Sequence, residues 1–283
     1  MTAGLRAAPA RQSVLLLAPL AAFAALFWPT FGWMAERFNA PDSFYSHGWL
    51  APLASGWLVW QRRERLARAR LSPSFQGLWL LVPAVALHVM AVWARLHVVS
   101  GLMLVAAIWG LVWISWGAEA LRLLRFPLAF LLFMVPLPGV LLIGISFYLK
   151  LAAAGLAAGV LRLAGIPALR EGSLIRLPHL TMLVDDTCSG LRSLLSLAAL
   201  ATLWTSLLPP GIPMWKRITL VAAAIPVGLA ANMARILALS LIALVWGRGA
   251  AEGFLHYGSG LVVFGIALVL LAWIGRLLTG GLQ

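Results

Sequence analysis

The sequence predicts an all-α fold: a polytopic membrane helix bundle of about eight transmembrane helices, with one short β-hairpin ahead of Cys188. Three observations predict it. Hydrophobic residues make up 63% of the 283 residues. Charged residues make up only 10%, against about 25% in a soluble domain. Apolar runs near the length that crosses a bilayer recur along the chain, and arginines cluster between them. This composition excludes a disordered, nucleic-acid-binding or ordinary cytosolic protein. The formal charge of +13 would suggest a polyanion partner in a soluble protein. Here its placement at the ends of apolar runs gives it a topological role instead. Membrane lipids are the expected surroundings, and no nucleic-acid partner is expected.

The expected spans follow in order. Residues 13–31 are long and lack a small-residue cleavage site, which reads as an anchor rather than a signal peptide. Residues 47–60 are short but end in Trp57 and Trp60 ahead of a basic run, the signature of a membrane edge. Then come 77–94, 98–116 and 126–145, the last with Pro136 and Pro138 as a kink near one face. Residues 190–208, 217–234 and 258–278 complete the set. Two stretches fit less well. Residues 146–165 carry Lys150 and Arg162, and 236–246 are too few to cross. Both read as interfacial, re-entrant or continued helices. No linker or repeat divides the chain, so 1–283 is expected to form a single integral-membrane domain.

Positive charge orients the bundle. With the N-terminus inside, the first inner segments hold Arg6, Arg11, Arg62, Arg63, Arg65, Arg68, Arg70, Arg122 and Arg125, against Arg37 and Arg95 in the outer loops. Both termini then lie inside. Residues 32–46, 146–189 and 235–257 gather on the outer face.

The candidate chemistry lies on that face. Cys188 is the only cysteine, which excludes an internal disulfide and a thiolate zinc site. It stands where a polar loop becomes an apolar helix. Helix N–H groups and Arg192, one turn on, favour its thiolate, while Asp185 and Asp186 oppose it. Taken alone it reads more readily as a small buried hydrophobe than as a nucleophile. Arg235 interrupts a stretch that is otherwise apolar from Ile218 to Trp246. A charge there needs a partner, a cavity or a membrane edge. Asn232 shares its helix face. His256 precedes the last span and can carry protons near neutral pH. A nucleophile, a cation and a proton carrier from three separate segments are the set that acyl transfer needs. The five histidines lack metal-ligand spacing, so no metal and no cofactor are expected.

Several stretches carry a family resemblance: Thr187-Cys188-Ser189-Gly190-Leu191-Arg192-Ser193, then Asn232-Met233-Ala234-Arg235, then His256. Two more precede them, Asp42-Ser43-Phe44-Tyr45-Ser46-His47-Gly48-Trp49 with Gln61-Arg62-Arg63, and Arg170 to Pro178. Together, from about 42 to 278, they resemble the exosortase/archaeosortase family. The resemblance implies a membrane cysteine transpeptidase of the bacterial inner membrane, with its site on the periplasmic face. It implies Cys188 as nucleophile, Arg235 as catalytic arginine and His256 as catalytic histidine. Around them Ser189, Arg192, Asn232, His47 and Asp42 are candidates for holding substrate. The implied partners are secreted client proteins with a tripartite C-terminal tail: a short motif such as Pro-Glu-Pro, an apolar helix and a basic cluster.

Two other readings compete. A transporter or flippase for an anion or glycan lipid would need Arg235 and tolerate Cys188→Ala. A non-catalytic assembly factor for exopolysaccharide or secretion machinery would tolerate loss of all three residues.

Overall fold

The computed structural model describes residues 19–41, 43–178, 180–184, 189–247, 249 and 254–280, with backbone alone at 180 and 254–257. Among the described residues five helices are long and apolar enough to cross a membrane: Phe75–Trp93, His97–Met134, Gly139–Leu163, Met214–Trp246 and Gly258–Thr279. The expected span over 13–31 begins outside the described residues. The chain divides into two compact units, Met1–Ala40 with Gly48–Pro136, and Pro41–His47 with Leu137–Gln283.

The first unit holds a helical stretch over 19–26, α1 (Trp28–Asn39), α2 (Leu50–Gln61), α3 (Arg63–Arg68), α4 (Leu78–Trp93) and α5 (His97–Phe130). The expected span 47–60 resolves into a 3-10 turn, Ser46–Trp49, followed by the twelve-residue α2. His47 therefore lies in a turn, outside the long apolar helices. Pro29 sits in the first turn of α1, and the ladder slips there. Thr30 N–H bonds to Phe27 at 3.0 Å rather than to Leu26. The orphaned Leu26 carbonyl accepts from His88 Nε2 at 3.0 Å. His88 Nδ1 then accepts from Ser100, whose oxygen accepts from Thr30. Thr30, His88 and Ser100 are all buried. A buried polar chain in a membrane helix must be satisfied internally, and this one is.

α5 is interrupted at Gly117, where φ is 82° and ψ is −177°. That backbone region is open to glycine almost alone. A Cβ there would run into the Ser72 carbonyl oxygen. Gly117→Ala should destabilise the protein by about 1–3 kcal/mol or more. Thermal unfolding in detergent would read this as a lower midpoint, and an unchanged midpoint would contradict the account.

The sequence places one span over 126–145; the structure does not. α5 runs to Phe130, a 3-10 turn follows at Leu131–Met134, and a new helix starts at Gly139. Pro136 and Pro138 remove the amide protons that a continuous helix would need. The uncertain stretch 146–165 belongs to this new helix, α6 (Gly139–Leu163), with Lys150 in its interior.

The second unit continues from α6 with strands β1 (Leu169–Glu171), β2 (Leu174–Leu177) and β3 (Leu180–Leu183), then α7 (Leu191–Leu207), α8 (Met214–Trp246) and α9 (Phe254–Thr279). The expected hairpin is present and gains a third antiparallel strand, in the order β1-β2-β3. Along β2 the side chains alternate. Ile175 and Leu177 are buried, while Arg176 is exposed and pairs with Glu171 at 2.8 Å. His179 lies outside the described residues.

The uncertain stretch 236–246 is the C-terminal part of α8, a helix of 33 residues. Its length is about 50 Å, well beyond a bilayer core of about 30 Å. Arg235 lies about 28 Å along the axis from Lys216, so the two cationic positions are spaced like the two edges of a membrane. Two cores flank Arg235. On one side Leu197, Leu220, Ala224, Ala267 and Leu271 join α7, α8 and α9. On the other Ala154, Ala157, Ala158, Ile175, Leu177 and Ile236 join α6, the sheet and the end of α8. At the opposite end of α8, Arg217 ties the α7–α8 turn. It donates to the carbonyls of Thr205, Pro209 and Ile212.

Candidate active site

The site is built at the level of Arg235, where the two cores meet. α7 opens on Gly190, in the left-handed region with φ 78° and ψ 0°. An L side chain resists that geometry, so the turn into the helix depends on glycine. Space demands it too. A Cβ on Gly190 would lie 2.8 Å from Asn232 Cγ and 2.9 Å from Asn232 Cβ. The buried Asn232 is thus packed flat against the start of α7. Ser189 is buried beside it, and its hydroxyl accepts the Leu191 N–H at 3.3 Å. Ser193 caps the turn from the other side, donating to the Gly190 carbonyl at 2.8 Å.

Arg235 follows Asn232 by three residues on α8. Its Nε donates to Ser259 Oγ at 3.3 Å, and a Cβ on Gly260 would lie 3.8 Å from its guanidinium carbon. Ser259 and Gly260 belong to α9, three and four residues beyond His256. Residues at those spacings share a helix face. The guanidinium therefore rests on the face of α9 that carries position 256. Chain connectivity and packing thus bring Gly190, Asn232, Arg235 and the first turns of α9 to one place.

Cys188 lies outside the described residues, as do Asp185, Asp186, Thr187 and Asp42. Of His256 the backbone alone is described. Arg192 is half-buried in the first turn of α7. Its carbonyl accepts from Ser196 at 3.0 Å. His47 reaches the same serine, with Nδ1 3.1 Å from Ser196 Oγ. Tyr45 stacks on the imidazole at 5.6 Å, and its own hydroxyl accepts the Leu137 N–H at 3.0 Å. Burial lowers the pKa of His47, favouring neutral imidazole. Burial raises that of Tyr45, with the Leu137 hydrogen bond pulling the other way.

Ser196, Ser259 and Tyr45 were not singled out from the sequence as site residues. Ser196 stands four residues after Arg192 and Ser259 three after His256, so helical spacing was the available signal for both. Nothing in the sequence pairs Tyr45 with Leu137. His97 stacks on Trp33 at 5.5 Å, a packing contact within the first unit. Among the described residues no group of three or more His, Cys, Asp or Glu side chains is placed to hold a metal.

Long apolar helices with charges at their edges define an integral multi-pass membrane protein, mostly helical among the described residues, with one small sheet. A family model described as transmembrane exosortase matches residues 33–273, and the chain belongs to that family. Membership implies a membrane transpeptidase for sorting signals. No curated protein matches the chain. No solved structure matches it.

Proposed function

We propose that this chain cleaves the C-terminal sorting signal of secreted proteins through a Cys188 thioester and transfers or releases the cleaved protein. The observation that supports this most is that Asn232 packs on Gly190, two residues after Cys188 in the chain, while Arg235, three residues further along the same helix, meets Ser259 of α9. The client tail docks with its apolar helix among the helices and its motif at the Arg235 level. The Cys188 thiolate attacks the scissile carbonyl carbon, and a C–S bond forms. Negative charge grows on the carbonyl oxygen, and Arg235 stabilises it. His256 protonates the amine that leaves with the tail. Ser189, Asn232, Arg192, His47 and Asp42 are the residues assigned to holding the client. The arginine distribution supports an inner-membrane protein with cytoplasmic termini and its site on the periplasmic face. One integral-membrane domain carries the whole reaction.

The test is client processing in cells. The chain is co-expressed with a reporter ending in the tripartite tail of a secreted protein from the same genome. The mature C-terminus is then read by mass. Processing should occur with the native chain and vanish in Cys188→Ala. Equal processing by Cys188→Ala would sink the cysteine mechanism.

A further inference from the structure

The first unit locks the arginines of two distant segments together. The Ser55 hydroxyl of α2 donates to the Pro127 carbonyl of α5 at 2.8 Å. Beyond the end of α2, the Arg70 N–H donates to a Glu119 carboxylate oxygen at 3.1 Å, joining segments 49 residues apart. The Ser74 N–H donates to the Ile114 carbonyl at 3.1 Å, and a Cβ on Gly77 would lie 2.7 Å from the Ile114 nitrogen. The break at Gly117, with the Ser72 carbonyl against it, admits the connecting segment this closely. Arg122 follows Glu119 by three residues and Arg125 follows Arg122 by three. Residues at that spacing are neighbours on a helix. The five arginines of 62–70 therefore stand beside Arg122 and Arg125.

The protein supplies little to balance them. Glu64 and Glu119 are the only carboxylates on residues 62–70 and 118–125. Glu119 accepts the Arg70 amide, and Glu64 meets Arg63 at 3.9 Å on the surface. Among the described residues the guanidinium groups of Arg65, Arg68, Arg70 and Arg125 have no protein acceptor. Burial and the neighbouring charge of Arg65 both lower the pKa of Arg62. Orienting a membrane protein needs cations near the ends of its spans. It does not need two runs of them tied side by side against their own repulsion. Aromatic rings mark the depth of the cluster. Trp60 near the end of α2, and Phe75 and Trp79 at the start of α4, are all exposed, as rings at the headgroup level are. Arg63 lies over the Trp60 ring, 4.1 Å from its centroid. From His97 to Trp116 α5 has 20 residues, about 30 Å, the thickness of a bilayer core. Its arginines begin where that core ends.

We propose that this cluster binds an acidic phospholipid of the surrounding leaflet, its phosphate held by guanidinium groups from both α3 and α5. The site is independent of the reaction proposed above. A guanidinium presents two parallel N–H donors that match two phosphate oxygens. A zwitterionic lipid offers the same phosphate but carries its own ammonium into the cluster, where like charge repels it. An acidic headgroup brings no such cation, so charge selects it.

The test uses the full-length protein purified in a neutral detergent, where insertion is complete and topology plays no part. Phosphatidylglycerol or phosphatidylcholine is titrated in, and retained lipid is counted by native mass spectrometry. The native protein should retain phosphatidylglycerol and release phosphatidylcholine. Arg65→Gln with Arg122→Gln should weaken retention about 25-fold, roughly 5-fold for each arginine at a membrane surface. Both residues are exposed, so the unfolding midpoint without lipid should stay put. Arg65→Lys with Arg122→Lys keeps the charge and should keep most of the binding. Lys216→Gln with Arg276→Gln removes two cations from the second unit and should leave retention unchanged. Equal retention of the two lipids by the native protein would overturn the site, as would native retention by the Arg65→Gln, Arg122→Gln protein. An equal loss in the Lys216→Gln, Arg276→Gln protein would reduce the effect to overall charge and overturn it too. Displacement of the lipid by millimolar inorganic phosphate would show a site for a free anion, against the lipid assignment.

Discussion

Arg235→Ala should lower client processing about 10²- to 10³-fold, the usual cost of losing one donor to a developing oxyanion. Helix α8 should survive the change. Its cores lie on either side, through Leu220 and Ala224 below and Ile236 above. The loss should therefore appear in turnover, with the unfolding midpoint little altered. Arg235→Lys is the sharper variant. The guanidinium rests its Nε on Ser259, which orients its plane. An ammonium keeps the charge but has no planar fork, so it cannot hold Ser259 and present a second fixed donor in the same geometry. Lysine should recover only a small part of the lost rate. Ser259→Ala should give a lesser loss, through freedom of the arginine plane. Initial rates with the tail-bearing reporter check all three. Full activity in Arg235→Lys would reduce the residue to a charge at a membrane edge.

Gly190→Ala should reduce processing at least about 10-fold by displacing the cysteine loop. A left-handed backbone costs an L residue about 1–2 kcal/mol. The new methyl would also meet Asn232 at 2.8 Å, well inside contact distance. Either α7 shifts along its axis or its first turn unwinds, and both move the residue two positions earlier. The reactivity of the single thiol gives a second readout. Alkylation of Cys188 by a maleimide should change rate in Gly190→Ala even without a client. Gly190→Ala combined with Asn232→Gly frees the space without relieving the backbone, so it should recover part of the loss. A Gly190→Ala protein with native alkylation and processing would show that the α7 start does not position the cysteine.

The membrane class, the strand pattern before the cysteine, and the family were readable in the chain because each rests on local signals. Apolar length, charge at run ends and the Cys188 motif need no knowledge of packing. Span boundaries were readable where a charge or a glycine ended the run, as at 98–116, which stops at Gly117. They failed at 126–145. Hydropathy does not register that Pro136 and Pro138 break the ladder, while Lys150 inside α6 broke the run on paper without breaking the helix. The helix tolerates one long cationic side chain because its aliphatic stem can lie along apolar surface.

The sequence by itself determined the kind of molecule and the residues able to react: an all-α membrane bundle bearing Cys188, Arg235 and His256, with Asn232 on the arginine's helix face. Tertiary structure decided which groups meet. That Ser259 receives Arg235, that Asn232 closes over Gly190, and that His47 meets Ser196 all join segments 24 to 149 residues apart or require a backbone angle no residue type announces. Such contacts depend on how helices cross and how far they extend. Those depend on the small buried alanines and glycines that let backbones approach, and a hydropathy pattern treats such residues as ordinary apolar filling.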